Sequence, residues 1–379
     1  MTKLKLVVFL CGAAVMILEI TGSRIIAPFF GNSLFVWGSL IGVILAALSL
    51  GYYYGGRMAD RKPSAKTLSL VILQAGVAVA FIPLLSAVIL QPAFAFFFGM
   101  TYGPLISVIV LFSLPSFLLG IVSPYAVKLE TKKLGSLGNT AGNLYAISTA
   151  GSIVGTLLTA FFLISALGIK AIIFGTGLLL IFTALIMSYN IKNFFPCIIL
   201  SLAVCVALIA ASPLYASASP TDCVIVYQAQ TPYHQITIKD WVDSSKRTMY
   251  LDASKTGGMY KDSDKAVCEY TNYFHLPFII NPEVKDVLFI GCGAGTGPKS
   301  FHRNYGDVRV DVVDIDPQVN EAAVRYFDLR EDERLRLYVG DARVFLSGSD
   351  KKYDLIVVDV FNSLYSIPFH LMTKEFVDE

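Results

Sequence analysis

The chain has 379 residues, of which 55% are hydrophobic and 15% are charged, whereas soluble globular proteins carry about a quarter charged residues. This composition excludes a purely soluble protein and an intrinsically disordered one. Six cysteines without zinc-type spacing exclude a disulfide-rich scaffold and predict no metal site. The 30 basic and 28 acidic residues nearly cancel, so the net charge predicts no nucleic-acid partner.

Hydrophobicity divides the chain near residue 218. Before this point, apolar runs approach the roughly 20 residues that cross a bilayer, and after it the sequence is mixed and polar. We predict a multi-pass membrane domain of about seven helices over residues 1–218. The predicted spans are residues 6–27, 35–55, 68–90, 104–122, 144–166, 169–188 and 194–214.

Charges in the short loops predict the orientation of these spans. Nearly all Lys and Arg residues of the loops fall on one side, with Lys170 on the other, which predicts a cell-membrane protein with a cytoplasmic N-terminus. Seven spans would place the rest of the chain outside the cytoplasm. An eighth span, a re-entrant helix or a shifted boundary would reverse this, so the side of the soluble part stays open.

Two polar features interrupt the apolar spans. Glu19 and Arg24 lie in the first span, where an ionisable group is expensive unless it is paired or faces a polar cavity. We consider a binding site and a structural ion pair as alternatives. Small residues over 142–156 predict close helix packing. Residues 55–62 resemble a loop signature of major facilitator transporters.

The polar part of the chain, residues 219–379, is predicted to form two domains. Alternating segments at 224–227, 234–238 and 248–251 predict a small antiparallel β-domain over residues 219–260. A helical stretch over 264–278 follows. Strands at 286–290, 308–313, 335–339 and 355–358 alternate with helical sequence, which predicts an α/β doubly wound domain over residues 261–379.

The first of these parallel strands runs into a glycine-rich turn. Gly291, Gly293 and Gly295 remove the side chains that would keep a ligand from the backbone. The second strand ends in Asp314 and Asp316, and a carboxylate about 20 residues after the glycines is placed to accept ribose hydroxyl hydrogen bonds. This pair of features predicts a nucleoside site.

Two further carboxylates follow the remaining strands. Asp341 comes after the third strand and Asp359 after the fourth. Any one of the four carboxylates after these strands could instead cap a helix. Four acidic residues at strand ends, together with the glycine turn, favour an adenosyl ligand at the carboxyl edge of the sheet.

These motifs resemble the spermidine synthase (polyamine aminopropyltransferase) family, whose sheet is the class I methyltransferase fold. The glycine turn, the segments 313–316, 340–342 and 353–359, and the preceding segment 233–236 carry the resemblance. The apolar half and the segment 366–376 resemble membrane-fused members of this family. The resemblance covers nearly the whole chain, and implies a last domain that is incomplete at its C-terminus.

The resemblance implies roles for individual residues. Gln235 would contact the donor, Asp314 its ribose and Asp341 its adenine amino group. Asp359 would act as the base toward the attacking amine. The implied donor is decarboxylated S-adenosylmethionine or S-adenosylmethionine, without a metal.

The chain departs from the family where the cationic groups of donor and acceptor would bind. Ala294 replaces the usual acidic residue of the glycine turn, and Asn362 replaces the second acidic residue of the loop after the fourth strand. Asn362 and Tyr365 are our candidate substrate-binding residues. These departures weaken the electrostatic case for binding putrescine.

Three functions are therefore considered. The first is a membrane-bound aminopropyltransferase that acts on a small amine such as putrescine. The second is a methyltransferase that uses S-adenosylmethionine on a membrane-presented substrate, which Ala294 favours. The third is a transporter or sensor without catalysis that binds a nucleoside or polyamine. The expected partners are the amine and the lipid bilayer, and a homo-oligomer is left open.

Overall fold

The computed structural model describes residues 3–31, 34–90, 92–131, 134–187, 222–252, 254–360, 367–368 and 371–378. The chain divides into two units, Met1–Ala218 and Ser219–Glu379. Each unit has a hydrophobic core of its own.

The first unit consists of long apolar helices. Six helices within the described residues are long and apolar enough to cross a bilayer, which confirms the predicted helical architecture. The predicted span 194–214 lies outside the described residues. The helices are α1 (Lys3–Phe30), α2 (Leu34–Arg61), α3 (Ala65–Ile89), α4 (Pro92–Glu130), α5 (Leu137–Leu167) and α6 (Ile169–Met187).

Helices α1 and α5 approach each other at backbone contact. A Cβ atom built on Gly151 would overlap the backbone of Phe9, and one built on Gly155 would overlap the backbone of Ala13. No larger residue fits at either glycine. The small residues of α5 therefore serve helix packing, as their spacing predicts.

The second unit begins with an antiparallel sheet in the order β1-β2-β3-β4. Three of its strands correspond to the predicted ones. The fourth is absent from the prediction because Gly257 and Gly258 interrupt its alternation. The strands are β1 (Cys223–Gln230), β2 (Gln235–Trp241), β3 (Lys246–Leu251) and β4 (Ser254–Tyr260).

The segment after β4 is not the continuous helix predicted over 264–278. Asp264 adopts a left-handed φ of 55°, which a helix does not contain. Helical structure begins with a 3₁₀ turn, Glu269–His275, and continues as the short helix α7, Pro277–Ile280. Pro277 starts this second piece because its ring nitrogen cannot donate a helical hydrogen bond.

A parallel sheet follows, in the order β7-β6-β5-β8. Its strands lie within one residue of the predicted ones, which confirms the doubly wound fold class. Since β6 and β8 flank β5, the winding reverses at β5, and such sheets bind ligands at the carboxyl ends beside the reversal. The elements are β5 (Asp286–Ile290), α8 (Thr296–Asn304), β6 (Arg309–Asp314), α9 (Pro317–Phe327), β7 (Leu335–Val339), α10 (Ala342–Ser347), β8 (Leu355–Val358) and α11 (Lys374–Asp378).

The two sheets share one core. Ile236, Ile238 and Met249 of the antiparallel sheet are fully buried in the same cluster as Phe289 and Val312 of the parallel sheet. Residues of helices α8 and α9 belong to the same core, and Thr231, in the loop before β2, reaches Asp316 at the carboxyl edge of the parallel sheet.

Candidate adenosyl site

The glycine turn after β5 is held in a conformation that favours glycine. Gly291, Gly293 and Gly295 have φ angles of 94°, 51° and 67°, a region that residues with a Cβ atom rarely adopt. A Cβ atom on Gly291 would also overlap the carbonyl oxygen of Asp359. Gly295 then forms the N-cap of α8, so the turn leads directly into a helix N-terminus.

Gly291→Ala is expected to destabilise this turn. The substitution combines a left-handed φ, a strain of about 1–3 kcal/mol, with overlap against Asp359. We expect a lower Tm for the detergent-purified chain. Gly306→Ala is the matched control because a Cβ atom there meets nothing within 4 Å. Equal Tm values for the two variants would contradict the strain argument.

Asp314, at the end of β6, ties the turn to the neighbouring strand. Its Oδ2 atom accepts the backbone N–H of Cys292 at 2.8 Å, and its Oδ1 atom accepts that of Asp316 at 2.9 Å. Burial raises the pKa of Asp314, while these two N–H groups and the nearby His234 lower it. The carboxylate is half-buried, so a ligand can still approach its remaining lone pairs.

Asp316 lies deeper than Asp314. Its side chain is 1% exposed, and its Oδ1 atom caps α9 by accepting the N–H of Gln318 at 3.0 Å. Its Oδ2 atom accepts the hydroxyl of Thr231 at 2.5 Å. Asp316 is thus engaged in holding neighbouring segments, and Asp314 is the more accessible of the two carboxylates.

Asp341 and Asp359 complete the row of acidic residues. Asp341 follows β7 and caps α10 by accepting the N–H groups of Arg343 and Val344 at 3.0 and 3.1 Å. Asp359 follows β8, where its own N–H donates to Ile290 at 2.9 Å. Because the strand order is β7-β6-β5-β8, the carboxyl edge of the parallel sheet carries, from one end to the other, Asp341, Asp314, the glycine turn and Asp359.

Tyr270, which the sequence analysis does not identify, contacts Asp359. Its hydroxyl lies 3.0 Å from Oδ2 of Asp359 and 3.2 Å from the carbonyl oxygen of Thr256. Burial raises the pKa of Asp359, and the hydrogen bond from Tyr270 lowers it. Tyr270 is 38% exposed, so this pair is accessible to a small molecule.

The loop before β2 brings His234 toward the site. Ile236 and Ile238 point into the shared core, and the alternation of a strand directs Gln235 to the opposite face. His234 is close enough for its charge to lower the pKa of Asp314. A ligand contact by Gln235 stays a prediction.

Two residues hold this loop in place. The Nδ1 atom of His234 lies 3.1 Å from Oδ2 of Asp252, whose Oδ1 atom accepts the N–H of Gln235 at 3.0 Å. The hydroxyl oxygen of Thr231 accepts the N–H groups of Tyr233 and His234 at 3.0 and 2.9 Å. Since Thr231 also bonds to Asp316, the loop is anchored to the parallel sheet.

Ala294 occupies the position where the family resemblance implies an acidic residue. Ala294 is 2% exposed. A Cβ atom built on Gly257 of β4 would lie 2.7 Å from the Cβ atom of Ala294. The turn and β4 are thus in close contact at this point. The candidate substrate residues Asn362 and Tyr365 lie outside the described residues.

Comparisons with known proteins show what this unit is similar to. A family model described as a methyltransferase domain matches residues 287–375. A polyamine aminopropyltransferase of Vibrio vulnificus is 40% identical over 104 residues, which cover 27% of this chain and 34% of that protein. A spermidine synthase structure from Thermotoga maritima is 23% identical over 40% of this chain and 50% of that chain, with a TM-score of 0.34.

One relative aligns with the whole chain. Polyamine aminopropyltransferase 2 of Aquifex aeolicus is 24% identical over an alignment that covers 100% of this chain and 77% of that protein. In contrast, the match to the Vibrio protein spans about a third of that relative's length. These matches confirm the resemblance inferred from the glycine turn and the strand ends: the chain is similar in sequence to polyamine aminopropyltransferases.

Proposed function

We propose that the second unit binds an adenosyl sulfonium donor at the carboxyl edge of the parallel sheet. The observation that carries this proposal is the row formed by Asp341, Asp314, the glycine turn and Asp359 on four adjacent strands. Neighbouring strands lie about 4.8 Å apart, so Asp314 and Asp359 are separated by about 10 Å. A nucleoside with a short side chain fits this separation.

In this proposal each carboxylate meets a different part of the donor. Asp341 accepts the adenine amino group, and Asp314 accepts the ribose hydroxyl groups. The glycine turn lets the nucleoside lie against the backbone. The sulfonium carbon then points toward Asp359, which lies on the other side of the turn.

The proposed reaction is aminopropyl transfer from decarboxylated S-adenosylmethionine to a small amine such as putrescine. The lone pair of a neutral amine attacks the aminopropyl carbon bonded to sulfur. The C–S bond breaks, its electron pair stays on sulfur and methylthioadenosine leaves. Asp359 takes the proton that the new ammonium group releases. Because sulfonium is a good leaving group, the protein contributes positioning and deprotonation.

Methyl transfer from S-adenosylmethionine is the second candidate. The observation that favours it is Ala294, which is buried against Gly257 and supplies no carboxylate for the cationic aminopropyl end of the donor. The donor pocket proposed above would be the same in both reactions. Only the transferred group and the acceptor differ.

We propose that the first unit anchors this activity in the cell membrane, with the N-terminus in the cytoplasm. The apolar helices α1–α6 support membrane insertion, and the loop charges support the orientation. Both sulfonium donors are cytoplasmic metabolites, so the function requires the second unit on the cytoplasmic side. An even number of spans before residue 222 would satisfy this requirement.

Calorimetric titration of the detergent-purified chain tests the function. S-adenosylmethionine, its decarboxylated form and methylthioadenosine are titrated side by side. Preference for the decarboxylated donor supports aminopropyl transfer, and preference for the carboxylated donor supports methyl transfer. Absence of binding by all three would contradict both reactions.

Tyr270→Phe is expected to shift the pH dependence of transfer. The hydrogen bond from Tyr270 lowers the pKa of Asp359, so its loss raises that pKa. A base works only when it is deprotonated, so the acidic limb of kcat/KM moves to higher pH and the rate near neutrality falls. The measurement is the pH profile of kcat/KM. Tyr273→Phe is the control because Tyr273 is 67% exposed, and an unmoved limb in Tyr270→Phe would contradict the coupling.

A further inference from the structure

The antiparallel sheet has a face that points away from the shared core. Ile238 of β2 and Met249 of β3 are buried in that core. Because side chains alternate along a strand, Lys239 and Tyr250 point to the opposite side, and Lys255 of β4 joins them because it pairs with Tyr250. We call the side of β1–β4 that carries these residues the outer face.

The outer face carries positive charge and no negative charge. Lys239, Lys246 and Lys255 lie on it. Asp240 is the only acidic residue in the four strands, and it points inward, where Arg247 donates to both of its carboxylate oxygen atoms at 2.7 and 2.8 Å. Within the described residues, none of the three lysines forms an ion pair. The outer face therefore presents uncompensated ammonium groups on three of its strands.

Aromatic and apolar side chains accompany the lysines on the outer face. The ammonium group of Lys239 lies 4.8 Å from the centroid of the Tyr250 ring. The Nε1 atom of Trp241 donates to the hydroxyl oxygen of Thr248 on the adjacent strand at 3.0 Å, so the indole lies across the sheet. On the edge strand β1, Ile225 pairs with Lys239 and is 45% exposed. Tryptophan and tyrosine are enriched where proteins meet the membrane–water interface.

We propose that the outer face docks on an anionic membrane surface, with its lysines against lipid phosphate groups and Trp241 at the level of the headgroups. The charges are complementary, because anionic headgroups attract clustered lysines. A bilayer is favoured over a soluble partner because a membrane-inserted first unit tethers the sheet near lipid, and a tether makes a weak contact intramolecular. The proposal rests on that insertion and on a cytoplasmic second unit, and not on the adenosyl chemistry.

Tryptophan fluorescence tests the docking in the full chain. The sequence contains two tryptophans, Trp37 and Trp241, so Trp37→Phe leaves Trp241 as the single reporter. This variant is placed in nanodiscs, one chain per disc, made of brominated phosphatidylcholine alone or mixed equally with brominated phosphatidylglycerol. We expect the bromine atoms to quench Trp241 strongly in the anionic mixture and weakly in the neutral lipid. About 1 M sodium chloride should remove the difference, because it screens charges beyond about 3 Å.

Charge variants show whether the lysines carry the docking. Each lysine near an anionic surface strengthens attachment about fivefold, so replacing Lys239, Lys246 and Lys255 together by glutamine should weaken it about 100-fold. Quenching of Trp241 should then fall to the level in neutral lipid, and arginine at the same three positions should restore it. The charge-matched control replaces three exposed cations that lie outside β1–β4: Lys285→Gln, Arg330→Gln and Lys352→Gln.

Three results would overturn the proposal. The first is equal quenching of Trp241 in neutral and anionic lipid, and the second is full quenching in the triple glutamine variant. The third concerns a second copy of the chain as the occupant: in detergent, shielding of Trp241 from acrylamide would then increase with protein concentration. An unchanged Tm of the triple variant shows that loss of quenching is not unfolding, and methylthioadenosine titration of the same samples reports separately on the adenosyl site.

Discussion

Asp359→Asn is expected to lower the rate of transfer by about 10²- to 10⁴-fold, the usual contribution of a positioned base. Asparagine keeps an oxygen that can accept the hydrogen bond from Tyr270, so the local structure should persist. The amide has no basic oxygen that could take the proton from the amine. Single-turnover kinetics with the decarboxylated donor measures the change.

The binding of methylthioadenosine should be the same in Asp359→Asn as in the wild-type chain. The matched control is Asp350→Asn, which alters an exposed carboxylate nine residues earlier, before β8. In the wild-type chain, burial raises the pKa of Asp359, so the rate should fall as the pH drops through that raised value. Full activity in Asp359→Asn would remove Asp359 as the base.

Asp314→Ala is expected to weaken every adenosyl ligand alike. A hydrogen bond to a charged group contributes about 1.5–3 kcal/mol, so each lost ribose contact costs about 10- to 100-fold in Kd. The substitution also removes the acceptor of the Cys292 and Asp316 N–H groups, which adds an effect on the turn itself. Calorimetry on the full chain measures the total.

A modified ligand separates these two effects of Asp314→Ala. The wild-type chain should bind methylthioadenosine more tightly than its 2′-deoxy analogue, because the analogue lacks one ribose hydroxyl. In Asp314→Ala this preference should vanish, since the partner of that hydroxyl is gone. If the variant keeps the preference, Asp314 organises the turn without touching the ribose.

The sequence predicts the parts of this site that depend on strand order. Four parallel strands and a glycine turn are readable because buried β-strands give continuous apolar runs and left-handed turns favour glycine. Asp314 and Asp359 follow directly from the ends of such strands. Their arrangement on either side of the glycine turn then follows from the winding of the sheet.

Contacts between residues that lie far apart in the chain cannot be predicted from the sequence in this way. Tyr270 reaches Asp359 across 89 positions of the chain, and Thr231 reaches Asp316 across 85. No local periodicity encodes such pairs. His234 adjoins the predicted Gln235 in sequence but lies just outside β2, which begins at Gln235. The helix predicted over 264–278 is wrong because a left-handed Asp264 interrupts it.

The hydrogen bond between Thr231 and Asp316 has a consequence for unfolding. Both side chains are buried, and the antiparallel sheet contributes Ile236, Ile238 and Met249 to the core that it shares with the parallel sheet. The two sheets should therefore lose their structure in one cooperative transition. A nucleoside bound at Asp314 would then slow amide hydrogen exchange in β2 and β3 as well as in β5 and β6.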